Sequence, residues 1–239
     1  MTQASLPISI TISRSAPLFI GLTVAAIVLY GFSHTVDSAL IHFRGAPPPL
    51  ILYIHVLVSS SWLVMFIVQS ALVRNHNIRL HRRLGLWGLA LGTAVAVVGL
   101  VTVYVMRWRD IESGGGTGAV AFLSIPLDSL ASFAVPFFLA AWWRKRPEIH
   151  RRLMLLATCT LTFAASARIP AVGDAGAPFI TGAFMVAAAG ADWMGARRIH
   201  PVYLIGIPAE ASIQALSIHL ALAAPPAWLS IARFLLGAT

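Results

Sequence analysis

Long apolar segments alternate with short polar or basic connections along the whole chain. Seven segments are long enough to cross a bilayer as helices, since about 20 apolar residues span its hydrocarbon core. Proline and glycine clusters at 47–49, 114–116 and 225–226 separate several of them. The pattern predicts an all-α integral membrane protein with one transmembrane domain over residues 1–239. The predicted spans are about 15–36, 49–73, 83–106, 119–142, 152–172, 178–195 and 202–223.

The last apolar stretch, residues 225–237, is too short to span a membrane. Trp228, Ile231 and Leu235 recur there at helical spacing and share one face. We therefore expect a short helix lying along the membrane interface.

The basic residues predict the orientation. Cytoplasmic loops of membrane proteins carry an excess of lysine and arginine. Twelve of the 17 basic residues fall on one predicted side and four on the other, with Arg168 inside a span. We expect a cytoplasmic N-terminus and an outer C-terminus. The twelve are Arg14, Arg74, Arg79, Arg82, Arg83, Arg144, Lys145, Arg146, Arg151, Arg152, Arg197 and Arg198, and the four are Arg44, Arg107, Arg109 and Arg233.

Composition narrows the class of protein. The chain is 58% hydrophobic and 10% charged, against about 25% charged residues in soluble domains. Its formal charge of +9 is explained by anchoring beside a lipid bilayer, so no nucleic acid is implied. The single cysteine, Cys159, rules out a disulfide framework and a covalent CxxCH haem site. No HExxH, nucleotide-loop or mid-membrane lysine pattern supports a zinc protease, a nucleotide site or a retinal protein.

One short phrase recurs in the chain: LHRRL at 80–84, IHRRL at 149–153 and IHPV at 199–202. It opens the third, fifth and seventh predicted helices, so His81, His150 and His200 are expected at one depth on one membrane face. Imidazole is the commonest transition-metal ligand and titrates near neutral pH. These three are the candidate metal ligands. The alternative is that the phrase anchors the helices to lipid phosphate.

The eight histidines divide evenly between the two predicted faces, which would suit two bis-histidine b-type haems. His55, on a polar stripe with Ser59, Trp62 and Gln69, is the preferred ligand on the outer side. On the third helix a glycine face lies beneath His81 and could leave room for a flat macrocycle. The alternative is that these glycines allow close helix packing. The remaining histidines are His34, His42 and His219 on the outer side and His76 on the inner side, and the glycines are Gly85, Gly88, Gly92 and Gly99.

Three charges are predicted inside spans: Asp128, Arg168 and Glu210. A charge at the bilayer centre costs about 2.5–3.5 kcal/mol on insertion scales, so such residues pair or line a polar cavity. Arg168 and Asp128 fall at similar depths and are expected to form an ion pair. The pair would be structural, or would serve a quinone, a haem propionate or a proton. Asp192, near a helix end, is expected to cap the helix or pair with a neighbouring arginine.

Arg168 also follows His150 by eighteen residues, five full helical turns. The two are therefore expected on one face of the fifth helix, at its opposite ends. That face would connect the inner histidine layer with the buried charge.

The phrases HRRLG at 81–85, HRRLM at 150–154 and IHPVYLIG at 199–206 resemble those of a broad group of bacterial multi-pass membrane proteins of unknown function. HRRLM is also similar to a family of membrane proteins implicated in cytochrome c oxidase assembly. The paired histidines are more distantly similar to cytochrome b561 proteins, which hold haem inside four central helices, whereas His81 and His150 are predicted at the interface. The resemblance implies a bacterial inner (cytoplasmic) membrane. It rests on His55, His81, Arg82, Gly85, Asp128, His150, Arg151, Met154, Arg168 and His200.

The leading functional hypothesis is a redox membrane protein that binds haem b or a transition metal. Its cofactor site would use His55, His81, His150 and His200, with Arg168 and Asp128 in an interior polar site and a quinone as electron partner. The second hypothesis is a non-catalytic accessory subunit that docks another membrane protein through the small-residue faces of the third, fifth and sixth helices. The third is a small-molecule transporter with a polar path joining Glu210, Asp128 and Arg168.

Overall fold

The computed structural model describes residues 8–36 and 47–237, with side chains from residue 15 to 35 and from 47 onward, and this part of the chain is all helical. His42 and Arg44 lie outside the described residues. The helices are α1 (Ile8–Val36), α2 (Leu50–Arg74), α3 (Ile78–Asp110), α4 (Gly116–Ala121), α5 (Ser124–Trp142), α6 (Pro147–Thr160), α7 (Thr162–Ser166), α8 (Gly173–Ala196), α9 (Pro201–Ala223) and α10 (Pro226–Leu236), with a π-helical turn at Ile111–Gly115 between α3 and α4.

Six of the predicted segments are confirmed as helices long and apolar enough to span a membrane. The fifth differs: instead of one helix over 152–172, the chain forms α6, a break at Leu161 and the short α7, followed by turns. The spanning helices run over Ser15–Thr35, Leu50–Arg74, Ile78–Ala121, Ser124–Trp142, Gly173–Ala196 and Pro201–Ala223.

The α6 helix lies at the centre of the bundle. It contacts α1, α5, α8 and α9, and every residue from Leu155 to Thr160 is buried. Its hydroxyls bond to their own helix: Thr158 to the carbonyl of Met154 at 2.9 Å, and Thr160 to that of Ala157 at 2.8 Å. Such bonds let polar side chains be buried and also bend helices. They explain why a polar, interrupted segment occupies the interior.

The outer surface of the bundle is apolar. Large side chains such as Leu29, Leu222 and Phe234 are 74%, 83% and 84% exposed. In water such a surface would be a liability, whereas in a bilayer it faces lipid. The exposure pattern therefore agrees with a multi-pass membrane protein.

The predicted terminal helix is present as α10. Its inner face packs Ala232 and Leu236 against Val120 and Leu123. The indole of Trp228 donates to the Ala121 carbonyl at 2.9 Å. Trp228, Ile231 and Leu235 were predicted to share one face of this helix. In the structure Trp228 faces the protein, whereas Ile231 and Leu235 are exposed.

The α1 helix passes very close to α7 at Gly31. A Cβ on Gly31 would overlap the backbone carbonyl of Ala165, which cannot move without shifting α7. We expect Gly31→Ala to lower the free energy of unfolding by about 1–3 kcal/mol, as overpacking does. The measurement is the thermal unfolding midpoint in detergent. Gly190→Ala, where a Cβ meets open space, is the matched control, and equal midpoints would contradict this packing.

Candidate functional site

Two of the three histidines in the repeated phrase lie near each other at one end of the bundle. His81 and His150 each stand four residues after the N-cap of their helix, which is Asn77 for α3 and Arg146 for α6. Each backbone N–H bonds to the carbonyl of that N-cap residue at 3.0 Å. The two half-buried rings are close enough for the charge on one to act on the other. We call this end, formed by connections 75–77, 143–146 and 197–200, the arginine-rich end.

Both rings are oriented through Nδ1. In His150, Nδ1 lies 2.9 Å from the carbonyl of Ala140 on α5, so it carries the proton and leaves Nε2 with a lone pair. In His81, Nδ1 faces the amide of Gln69 on α2. With the amide oriented to suit its neighbours, Nε2 of Gln69 is 2.5 Å from His81 Nδ1 and its Oε1 is 3.0 Å from the Gly85 N–H. Four helices therefore hold the two imidazoles.

His200 does not join this pair. It is the N-cap residue of α9, and its Nδ1 accepts from the N–H of Val202 at 3.2 Å. The third copy of the phrase thus begins its helix four residues later than the other two. The predicted three-histidine layer is therefore two histidines, with His200 beside a separate charged cluster. Within the described residues, no three His, Cys, Asp or Glu side chains come together as a metal site.

The charged cluster is centred on Arg152, which is 3% exposed, and Asp192, which is 7% exposed. Nε and Nη2 of Arg152 donate to the two Asp192 oxygens at 2.9 and 2.7 Å. Nη1 of Arg152 donates to Oε2 of Glu148 at 2.7 Å. Nη2 of Arg151 donates to Glu148 and Asp192 at 3.1 and 3.2 Å. The expected pairing of Asp192 with an arginine is confirmed.

The cluster also changes the acidity of the groups beside it. The hydrogen bond from Arg152 holds the pKa of Glu148 below its ordinary value. Partial burial, together with the charge of Arg152, lowers the pKa of His200. Both groups therefore keep their neutral-pH states, a carboxylate and a neutral imidazole.

The part of the α3 glycine face farther from His81 is filled by protein. Phe137 and Trp62 cover Gly92, where a Cβ would overlap both rings. The two rings pack edge to face with centroids 5.3 Å apart. Leu130 covers Gly99 in the same way. At Gly92 and Gly99 the glycines therefore serve close packing. A Cβ on Gly85, one turn from His81, would meet no atom within 4 Å, so that part of the face stays open.

Arg168 and Asp128 do not form the expected ion pair. Arg168 follows the end of α7 and is exposed; it bonds to the carbonyl of Ala164 and stacks on Phe32, with Cζ 4.5 Å from the ring centroid. The break at Leu161 and the turns after Ser166 also end the helical face that would have joined it to His150. The prediction failed because it assumed one continuous helix.

Asp128 instead joins α5 to α9 through hydroxyl groups. Its two oxygens accept from Ser217 at 2.9 Å and from Ser132 at 3.2 Å. Glu210 lies within electrostatic reach and accepts from Gln214 at 3.0 Å. Two carboxylates therefore share one polar layer, with no ion pair to either among the side chains described.

On the opposite end of the bundle, His55 stands apart from other histidines in the described residues. Its Nδ1 is buried without a hydrogen-bond partner there, and Arg168 lies within electrostatic reach. His34 and His219 are exposed. The expected outer bis-histidine haem site is therefore not assembled by these residues. Trp62 of the predicted polar stripe is buried, as expected, against Phe133 and Phe137.

Sequence reasoning missed the contribution of Glu148 and of Gln69. Glu148 immediately precedes the second copy of the phrase, and its position four residues before Arg152 is the usual spacing of a helical ion pair. Gln69 stood on the polar stripe of α2, but no pattern connected it with His81. Only the turn from α2 to α3 brings these two side chains together.

Comparisons with protein-family models, curated proteins and solved structures find no match to this chain. The resemblances carried by the three histidine phrases therefore stay predictions.

The Arg152–Asp192 pair generates a stability prediction. Removing one partner of a buried ion pair costs about 3–5 kcal/mol, because the other charge stays buried. We expect Arg152→Leu and Asp192→Leu each to lower the unfolding midpoint strongly, and the double variant to recover much of the loss. Arg83→Leu, which removes an exposed and unpaired arginine at the same end, is the control. An Arg152→Leu midpoint equal to that of Arg83→Leu would contradict a buried pair.

Proposed function

We propose that this protein is a multi-pass membrane redox protein in which His81 and His150 bind a transition metal or a haem iron. One observation carries the proposal: two imidazoles from different helices lie within electrostatic reach of each other, and each is held through Nδ1 by another helix. Metal-binding histidines are characteristically fixed in this way, with the second ring nitrogen free for the metal.

His150 is better prepared than His81 to bind a metal. His150 presents a free Nε2, because its Nδ1–H donates to Ala140. His81 needs its Nδ1 protonated to do the same. Rotation of the Gln69 amide by half a turn would let its oxygen accept from Nδ1–H, at the loss of the bond from the Gly85 N–H. A bound metal would supply one-electron chemistry. Phe137 and Trp62 fill the face at Gly92, so a haem beneath His81 would have to lie in the open part of the face at Gly85.

The topology that accompanies this proposal has seven crossings. The 20 residues from Pro147 to Ser166, with one break, reach about 30 Å at 1.5 Å per residue, the thickness of a hydrocarbon core. With α6 and α7 as the fifth crossing, the charge bias gives a cytoplasmic N-terminus, an outer C-terminus and the arginine-rich end inside. The membrane implied by the resemblance is the bacterial inner membrane.

A second candidate is an accessory subunit of a larger membrane complex. The small-residue faces of α3 and α6 lie inside the bundle, so they cannot dock a partner. Ala183, Ala187 and Gly190 on α8 are exposed in a row. Such rows allow helices of two membrane proteins to approach closely.

A transporter is the third candidate. The carboxylate layer of Asp128 and Glu210 supports it, because uncompensated acidic groups inside membrane bundles mark proton and ion paths. Arg168 lies outside this layer, which shortens the expected path.

Metal analysis and a reduced-minus-oxidised visible spectrum of the purified protein test the redox proposal. We expect about one metal equivalent, or the α band of a b-type haem, lost in His81→Ala and His150→Ala because each variant removes a ligand. His219→Ala, at an exposed histidine, is the matched control and should keep the signal. Gln69→Leu should weaken binding through the orientation of His81, by about 10–100-fold.

A colourless and metal-free wild-type protein that remains folded would contradict the proposal. So would equal loss of signal in all three histidine variants.

A further inference from the structure

A cavity of about 400 Å³ opens at the arginine-rich end, where α6 and α9 begin and α8 ends. Its wall includes Arg146, Arg151, Arg152, Arg198 and His200. Glu148 is the acidic residue of that wall. The cavity is separate from the His81–His150 pair, so what it binds does not depend on the redox proposal.

Two of these arginines are free to meet a ligand. Arg146 and Arg198 are exposed, and within the described residues neither side chain has a hydrogen bond or ion pair. The other two are held by the carboxylates of Glu148 and Asp192. Four guanidinium groups against two carboxylates leave the cavity with a net charge of +2.

Arg151 adds a polar atom without a partner. Its Nη2 bonds to Glu148 and Asp192, but its Nε is buried and unpaired in the described structure. Arg151 itself lines the cavity with a partly exposed side chain, so its guanidinium adds positive charge there. His200 also lines the cavity; its Nδ1 accepts from Val202, so its Nε2 carries the proton and can donate.

Two helix N-termini also favour an anion in this cavity. Both α6 and α9 begin at this cavity, and the positive end of a helix dipole favours an anion. Their N-cap residues, Arg146 and His200, are themselves part of the wall. The cavity therefore combines two unpaired guanidinium groups, the charge of Arg151 and two positive helix ends.

The position of the cavity along the bundle axis indicates which anion could reach it. Trp142 and Trp193 stand at the adjacent helix ends and are 80% and 47% exposed. Exposed tryptophans at helix ends mark the level of lipid headgroups. Basic pockets between helices at that level bind anionic headgroups.

We propose that this cavity binds a phosphate group, with Arg146 and Arg198 as its main donors. An anionic phospholipid headgroup presents that group at the right depth, and free phosphate presents the same chemistry. Guanidinium groups match phosphate because their planar N–H donors bond two oxygens at once.

Native mass spectrometry of the detergent-purified protein, titrated with phosphatidylglycerol, phosphatidylcholine or inorganic phosphate, tests the assignment. We expect one saturable phosphatidylglycerol adduct, weakened about 30-fold in Arg146→Gln/Arg198→Gln because two cations near the headgroup are lost. Each single variant should lose about fivefold. Arg79→Gln/Arg83→Gln removes the same charge from exposed positions on α3 at the same end and should bind as the wild type does.

The probes separate the two sources. Saturable binding of inorganic phosphate with the same dependence on Arg146 and Arg198, without lipid binding, would assign free phosphate to the cavity. Equal loss in both double variants would overturn the proposal, because it would show diffuse attraction to a basic surface. Absence of any saturable adduct on the wild type would overturn it as well. Matching unfolding midpoints of the variants show that the fold is kept.

Discussion

The buried pair of Arg152 and Asp192 is the contact on which the rest of the bundle depends. It joins α6, the central helix, to the end of α8 through two charge-assisted hydrogen bonds. Separating the two charges would leave each in a poorly solvating interior, so the geometry is fixed within narrow limits. With α6 held in place, His150 in its first turns lies within electrostatic reach of His81, and the cavity beside Glu148 lies between three helix ends.

Beyond this ion pair, the interior contains many hydroxyl groups but few charged side chains. Threonine and serine hydroxyls on α6 and α7 bond to carbonyls of their own helices, and Thr162 also contacts Thr181 at 3.1 Å. Between α5 and α9, the hydroxyls of Ser132 and Ser217 donate to the carboxyl oxygens of Asp128. These hydroxyl groups are satisfied locally, so small side chains can pack closely while the apolar surface is left for lipid.

The sequence allowed most of the fold to be predicted and only part of the site. Apolar periodicity predicted six spanning helices correctly, and local spacing predicted that His81 and His150 open their helices and that Asp192 meets an arginine. The failures involved tertiary placement. The break at Leu161 and the exposed position of Arg168 follow from packing around α6, which hydropathy does not report. The glycine face of α3 was ambiguous because close packing and a flat ligand demand the same small residues. The positions of Phe137 and Trp62 show that Gly92 serves packing.

Chemical labelling of Cys159 with a maleimide tests most directly that α6 is an enclosed helix held by its buried ion pair. Cys159 is the sole thiol of the chain and is 0% exposed within α6. An enclosed α6 predicts that the folded protein in detergent stays unlabelled, that full unfolding in SDS exposes the thiol, and that Asp192→Leu speeds the reaction, since reactivity requires access. Labelling of the folded wild-type protein as fast as in SDS would contradict the account, because α6 would then lie open to solvent.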